Sequence, residues 1–155
     1  MNKELNKKKF IARNKKAFHD YEVLERLEAG IELVGTEVKS IRSGKVNLLD
    51  SYARSQRNEL FIYHMHISPF DFGNQFNHDP YRKRKLLLHK NEIIKLSSET
   101  EKKQLSIIPL SIYIDRQWVK LELGLCRGLK KHDKRQKIAS DESKRRLAKL
   151  MKNAY

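Results

Sequence analysis

Residues 21–33 read YEVLERLEAGIEL, and their odd positions, Tyr21, Val23, Glu25, Leu27, Ala29, Ile31 and Leu33, are apolar with one exception. The even positions are mostly charged or glycine. A period of two belongs to a strand with one wet and one buried face, so the segment predicts a half-buried strand with Glu28 pointing outward. Just beyond it, Val34, Val38 and Ile41 fall at i, i+4 and i+7, with Thr36 placed as a cap and Gly44 as a left-handed stop. That spacing predicts a short helix. Residues 51–56 and 59–67 flank Arg57-Asn58 as the arms of a hairpin, the second alternating through Phe61, Tyr63, Met65 and Ile67. A second hairpin alternates through Ile108, Leu110, Ile112 and Ile114, turns at 115–117, and returns through Val119, Leu121, Leu123 and Leu125, with Lys120 outward. Between the hairpins, SPFDFGNQFNHDPYR (68–82) has no period and reads as a long loop. RKRKLLLHK (82–90) fits a strand with Leu86 and Leu88 inward and Leu87 outward, and NEIIKLSSETEKK (91–103) fits a helix. Many short strands with few helices predict a mainly β fold. The expected form is a small closed antiparallel barrel of the oligonucleotide-binding type, with peripheral helices and a basic C-terminal tail.

The chain's 155 residues suffice for one domain with a core of its own. Cys126 is the lone cysteine, so no internal disulfide can form; it reads as core filler in a reducing compartment. The N-terminal MNKELNKKKF is too polar for a signal peptide, and no apolar run is long enough to span a bilayer, so a soluble cytoplasmic monomer is expected. The net charge of +15 sits at the ends. Residues 1–16 carry seven Lys or Arg against Glu4, and residues 130–155 carry ten against three acids, which leaves 17–129 at +2. The expected division is a basic arm at 1–13, a domain at 14–127 and a basic tail at 128–155. Leu147, Leu150, Met151 and Ala154 lie on one helical stripe behind Ser140-Asp141-Glu142, so the tail encodes a helix from about Gln136. With so narrow a stripe it should order mainly on a polyanion. A membrane-inserting arm would show Trp or Phe on its apolar face, and this tail offers mostly Leu, Met and Ala, which favours nucleic acid.

His64-x-His66 offers two metal ligands on one strand face, but no cysteine or acidic cluster lies near them in sequence, so neither a metal nor a cofactor is expected. Nucleophile-elbow, phosphate-loop and paired-acid signatures are missing, which argues against an enzyme. The cationic run Arg82, Lys83, Arg84 and Lys85 would ordinarily be a solvated face. An outward Leu87 beside it makes a surface suited to a base or a sugar. Glu28, Leu87 and Lys120, outward on three strands, are candidates for one patch.

NKKAFHDY (14–21), LEAGIELVGTEVKSIRSGKVNLLDSY (27–52), HDPYRKRKLLLH (78–89), PLSIY (109–113) and KKHDKR (130–135) together resemble the tmRNA-binding small protein B family along nearly the whole chain. The resemblance implies a barrel that grips the tRNA-like domain of tmRNA and delivers it to stalled ribosomes for trans-translation. It places tmRNA contacts at His19, Glu28, Leu87 and Lys120. It further implies a tail that enters the decoding centre and the empty mRNA channel through Lys130, Lys131, His132, Asp133, Lys134 and Arg135. The elongation factor that carries aminoacylated tmRNA is a further implied partner. The family usually reads Gly-Lys-Lys before the triad, whereas Gly128 here is followed by Leu129, so the phosphate contact that the resemblance implies at this position lacks its lysine, while the neighbouring Lys130 and Lys131 can supply charge. A permanent ribosomal protein and an RNA-processing enzyme are the alternatives. Stable association with unstalled ribosomes would mark the first, and RNA cleavage by the pure protein the second.

Overall fold

The computed structural model describes residues 8–71 and 77–153. Among the described residues nine strands and four helices follow in the order β1 (Lys8–Arg13), α1 (Lys15–Asp20), β2 (Tyr21–Ile31), α2 (Gly35–Arg42), β3 (Val46–Asn47), β4 (Tyr52–Gln56), β5 (Glu59–Tyr63), β6 (His66–Ile67), β7 (Arg84–Leu87), α3 (Lys90–Lys103), β8 (Ser106–Asp115), β9 (Trp118–Gly128) and α4 (Lys131–Asn153). The fold is therefore mainly β with a few helices. Seven strands pair antiparallel in the order β1-β8-β4-β5-β7-β2-β9, and β9 pairs again with β8. Where β4 meets β8 the seam is one pair wide, Ala53↔Ile107, because β1 occupies the rest of that edge of β8.

The strand over 21–31 forms as its alternation requires, with one local departure. A bulge between Val23 and Glu25 shifts the register, and Glu25, the one charged odd position, reaches Lys95 of α3 at 3.3 Å. At the first hairpin, Arg57 and Asn58 both take positive φ, 52° and 62°, the pairing that a two-residue type I′ turn needs. Its second arm differs from the expected alternation. Leu60 and Ile62 face the core, while Phe61 and Tyr63 face out. His64 then adopts φ 62°, and Met65 and Ile67 come back inside. One left-handed residue thus reverses which parity is buried.

Of the expected arm at 1–13, Lys8–Arg13 joins the sheet on β8, and residues 1–7 lie outside the described residues. Its lysines read as a solvated tail because an edge strand exposes most of its side chains. The α2 helix is capped by Glu37, whose carboxylate accepts the Val34 N–H, rather than by Thr36, whose hydroxyl lies 2.8 Å from His78 Nδ1. Gly44 closes it at φ 76° as the sequence predicts. The loop over 68–82 is drawn together at its neck by Asn77, which donates to the Phe70 carbonyl and accepts the Phe70 N–H.

Two apolar clusters lie on opposite sides of the sheet. The larger, with Ile41, Leu60, Ile62, Met65, Leu86, Ile112, Leu121 and Leu123, fills the interior. The smaller joins Ala17 of α1 to Ile108, Leu110 and Cys126 on the outside. Burial pushes the Cys126 thiol up to about 11, which suits the filler role.

Candidate nucleic-acid interface

Glu28, Leu87 and Lys120 lie on three neighbouring strands, β2, β7 and β9. Gly30 of β2 is in register with Lys120 on one side and with Leu87 on the other. A Cβ on Gly30 would stand 3.3 Å from Leu87 Cβ, so the absent side chain lets the two strands carry Leu87 close against β2. Leu87 remains 50% exposed. One register step along β2, Glu28 takes a 2.9 Å bond from Lys120 Nζ and another from the Tyr113 hydroxyl, with Lys8 Nζ at 3.7 Å. Lys120 also lies 3.8 Å from Asp115.

The Tyr113 hydrogen bond foremost, and Lys120 after it, hold the Glu28 carboxyl below its usual range. Burial and the bond to Glu28 push the Tyr113 hydroxyl up, and the same carboxylate raises Lys120. At neutral pH the site therefore presents a fixed carboxylate held by a phenol and two ammonium groups. Tyr113, Phe10, Lys8 and Trp118 were not among the residues singled out from the sequence. Their signal is parity: Tyr113 alternates with the core residue Ile112, and on the outer side it is buried beside Phe10, which is in register with it, rings 5.3 Å apart. Nothing in KKKF announced a strand, so that alignment was hidden.

The cationic run divides by the same alternation. Arg84 points inward, is fully buried and pairs with Glu37, while also donating to the Met65 carbonyl at 2.8 Å. Arg82 joins the same carboxylate at 2.5 Å. Burial drives Glu37 toward its neutral form, but the bonds from Arg82, Val34 N–H and Arg84 outweigh it and keep the carboxyl below its usual range. Arg84 is thus a structural cation and leaves the set of RNA-contacting candidates, because strand alternation turns it into the core. Lys83 and Lys85 do face out. Lys83 Nζ stands 4.4 Å over the Phe61 ring, and Lys85 lies 3.4 Å from Glu59.

His19 ends α1 away from this patch, with Nδ1 3.1 Å from Asp20 Oδ1. Asp20 anchors the start of the tail: its carbonyl accepts the Leu129 N–H at 3.0 Å, and its carboxylate pairs with Lys134 at 3.2 Å. Leu129 thus contributes its backbone N–H to this anchor. Lys130 donates its N–H to the Asp133 carboxylate, and Lys134 N–H to the Lys130 carbonyl begins the helical ladder. This cap starts α4 at Lys131, ahead of the expected Gln136, and puts Ser140 inside the helix. Arg135 is exposed, the side chains of Lys131 and His132 lie outside the description, and so does Ala154. The rings of His64 and His66 face Tyr52 and Tyr81 at 5.6 and 4.8 Å. Among the described residues no three His, Cys, Asp or Glu side chains group as a metal site, and no helix is long and apolar enough to cross a membrane.

A chain with seven antiparallel strands in one sheet, cations, aromatics and one fixed carboxylate on its outer face, and a long basic helix beyond it belongs to the class of mainly β proteins with a few peripheral helices. The SmpB protein family model matches residues 11–153, and the chain belongs to that family. It is 56% identical over 139 residues to an SsrA-binding protein of Desulfitobacterium hafniense (strain DSM 10664 / DCB-2), covering 90% of this chain and 89% of that protein. It is 55% identical over 152 residues to an SsrA-binding protein of Caldanaerobacter subterraneus subsp. tengcongensis, covering 98% and 96%. A solved structure described as "tmRNA-SmpB: a journey to the center of the bacterial ribosome" superposes with a TM-score of 0.66 at 46% identity, covering 82% of this chain and 93% of that one.

Proposed function

We propose that this chain is a non-enzymatic, cytoplasmic, monomeric RNA-delivery protein that binds the tRNA-like domain of tmRNA and carries it to stalled ribosomes for trans-translation. The return of β9 to β8 supports reading the sheet as a closed barrel of the oligonucleotide-binding type. The observation that carries the reading is the convergence of Glu28, Lys120 and Leu87 on adjacent strands of the outer face. Such a trio suits a folded RNA. The carboxylate accepts from a ribose hydroxyl or a base N–H, the lysines meet phosphates, and the leucine covers a sugar or base edge. Lys83 and Lys85 face out on the strand that carries Leu87, Arg82 precedes them, His19 of α1 is a separate RNA contact in this reading, and Lys130 to Arg135 belong to the second task, in the decoding centre and mRNA channel. The family membership and the relatives named SsrA-binding protein support the choice of RNA. The elongation factor that brings aminoacylated tmRNA is the expected companion.

Gel shifts with a transcript of the tRNA-like domain test the assignment. Lys120→Ala should weaken binding and flatten its salt dependence by about one phosphate contact. Truncation after Lys131 should leave most of the affinity. Loss of binding on truncation, with Glu28→Ala and Lys120→Ala at full affinity, would move the site to the tail.

A further inference from the structure

We propose that Trp118 is a stacking platform for an unpaired nucleobase of the bound RNA, set beside the Glu28–Lys120 pair. This rests on the reading of that face as an RNA site and names one more residue in it. Trp118 is the chain's sole tryptophan, and it is 71% exposed. Single exposed apolar side chains are ordinary, so exposure alone carries nothing. Its neighbours do. Trp118 opens β9 immediately after the Arg116-Gln117 turn and is in register with Asp115, which is in register with Lys8. Val119 packs against the core, so Trp118 and Lys120 share the outer face two residues apart, a spacing of about 6.6 Å along the strand. Lys8 and Lys120 both reach Glu28, and Lys120 also lies 3.8 Å from Asp115, the register partner of Trp118.

The arrangement offers the two things an unstacked nucleotide needs at once. An open π-face receives a base, and ammonium groups on the same face meet its phosphate. The nearby rings of Phe10 and Tyr113 are already engaged with each other, and Lys8 lies over Tyr113, 5.2 Å from its centroid. Trp118 sits at the hairpin tip, clear of that pair's contact, where a looped-out base can approach without displacing a strand. The mixed charge of Lys8, Lys120, Glu28 and Asp115 makes bulk attraction at this spot small. An aromatic contact would therefore contribute much of the local affinity. An apolar protein partner would also cover an indole, but it would gain nothing from two ammonium groups held beside it.

The single tryptophan makes the test direct. Titration of the full-length chain with a transcript of the tRNA-like domain of tmRNA should quench the indole emission, over the same concentration range as the gel shift. Trp118→Ala should weaken binding roughly tenfold, while Trp118→Phe, which keeps a ring, should recover most of the loss. Circular dichroism checks that both variants fold. Unchanged emission together with normal binding by Trp118→Ala, while Lys120→Ala binds weakly, would overturn the stacking role and leave the site itself standing. Normal binding by both Trp118→Ala and Lys120→Ala would overturn the site as well. Equal losses for the alanine and phenylalanine variants would point to the indole N–H in place of the ring face. Emission that responded only to ribosomes or to an elongation factor would assign Trp118 to another partner.

Discussion

The sheet and α4 are both rich in cations, yet they use them differently. Along the β2–β9 ladder cations are matched by acids on the neighbouring strand, Lys120 by Glu28, Arg26 by Glu122 and Arg127 by Glu22, and Lys8 of β1 also reaches Glu28. In α4 the residues from Asp141 to Asn153 are all exposed. The segment 130–155 carries ten Lys or Arg against three acids. Matched charges hold a geometry and contribute little net attraction. Unmatched charges attract any polyanion at a distance and specify little by themselves. The difference teaches that the net charge of +15 locates the attraction but not the recognition.

The largest effect should come from the sheet's buried pair. Glu37→Gln leaves the Arg84 guanidinium without its counter-charge in the interior, at a cost of about 3–5 kcal/mol, read from urea unfolding. Lys120→Ala, which removes a partly exposed pair, should cost no more than about 1 kcal/mol. Equal losses for the two would break the distinction between buried and surface pairing. The pH dependence carries the same sign. Because the folded Glu37 carboxyl is held below its ordinary value of 4.5, its contribution is fully present above that value and fades as pH falls through the folded one. The acid limb of the stability curve should therefore flatten in Glu37→Gln.

Next in size is the triad Asp133, Lys134 and Arg135. Triple substitution by alanine removes a net charge of only one, so tmRNA capture should change less than about threefold. Peptidyl transfer to tmRNA on stalled ribosomes should nevertheless fall by more than about tenfold, because positioning rather than attraction is lost. Near-normal transfer would reduce the triad to solvated charge.

Much of this was legible in the residues. The alternations at 21–31 and 108–125 determine strands whatever they pair with and put Glu28 and Lys120 on the outer face, and the strand reading of 82–90 puts Leu87 there, before any pairing is known. Three things were not legible. Lys8–Arg13 becomes a strand only because β8 offers a free edge, a tertiary fact with no local pattern. The left-handed turn at His64 reverses which of Phe61 and Ile62 is buried, and histidine is no strong signal for it. The run Arg82–Lys85 reads as uniform charge, whereas the structure sends Arg84 inward because Glu37, 47 residues earlier, is there to receive it.

The smallest expected effect lies at the junction of the two regions. Asp20 takes Lys134 on its carboxylate, its carbonyl takes the Leu129 N–H, and Lys137 donates to the carbonyls of Phe18 and Tyr21. The first two turns of α4 are thus fastened to α1 and the start of β2, while the remainder of the helix carries an exposed stripe of Leu147, Leu150 and Met151. His19 foremost, opposed by burial and helped by Lys134, holds the Asp20 carboxyl below its usual range, so the pair is ionised at neutral pH. Both partners are partly exposed, and an ion pair of that kind contributes at most about 1 kcal/mol. Amide exchange should therefore be slowest near residues 134–138 and fast from 141 to 153. Asp20→Asn should speed the first group by no more than about fivefold, because the Lys137 bonds to backbone carbonyls remain. Uniformly slow exchange out to Asn153 would show that α4 stands by itself, and the fastening at Asp20 would then set only its direction.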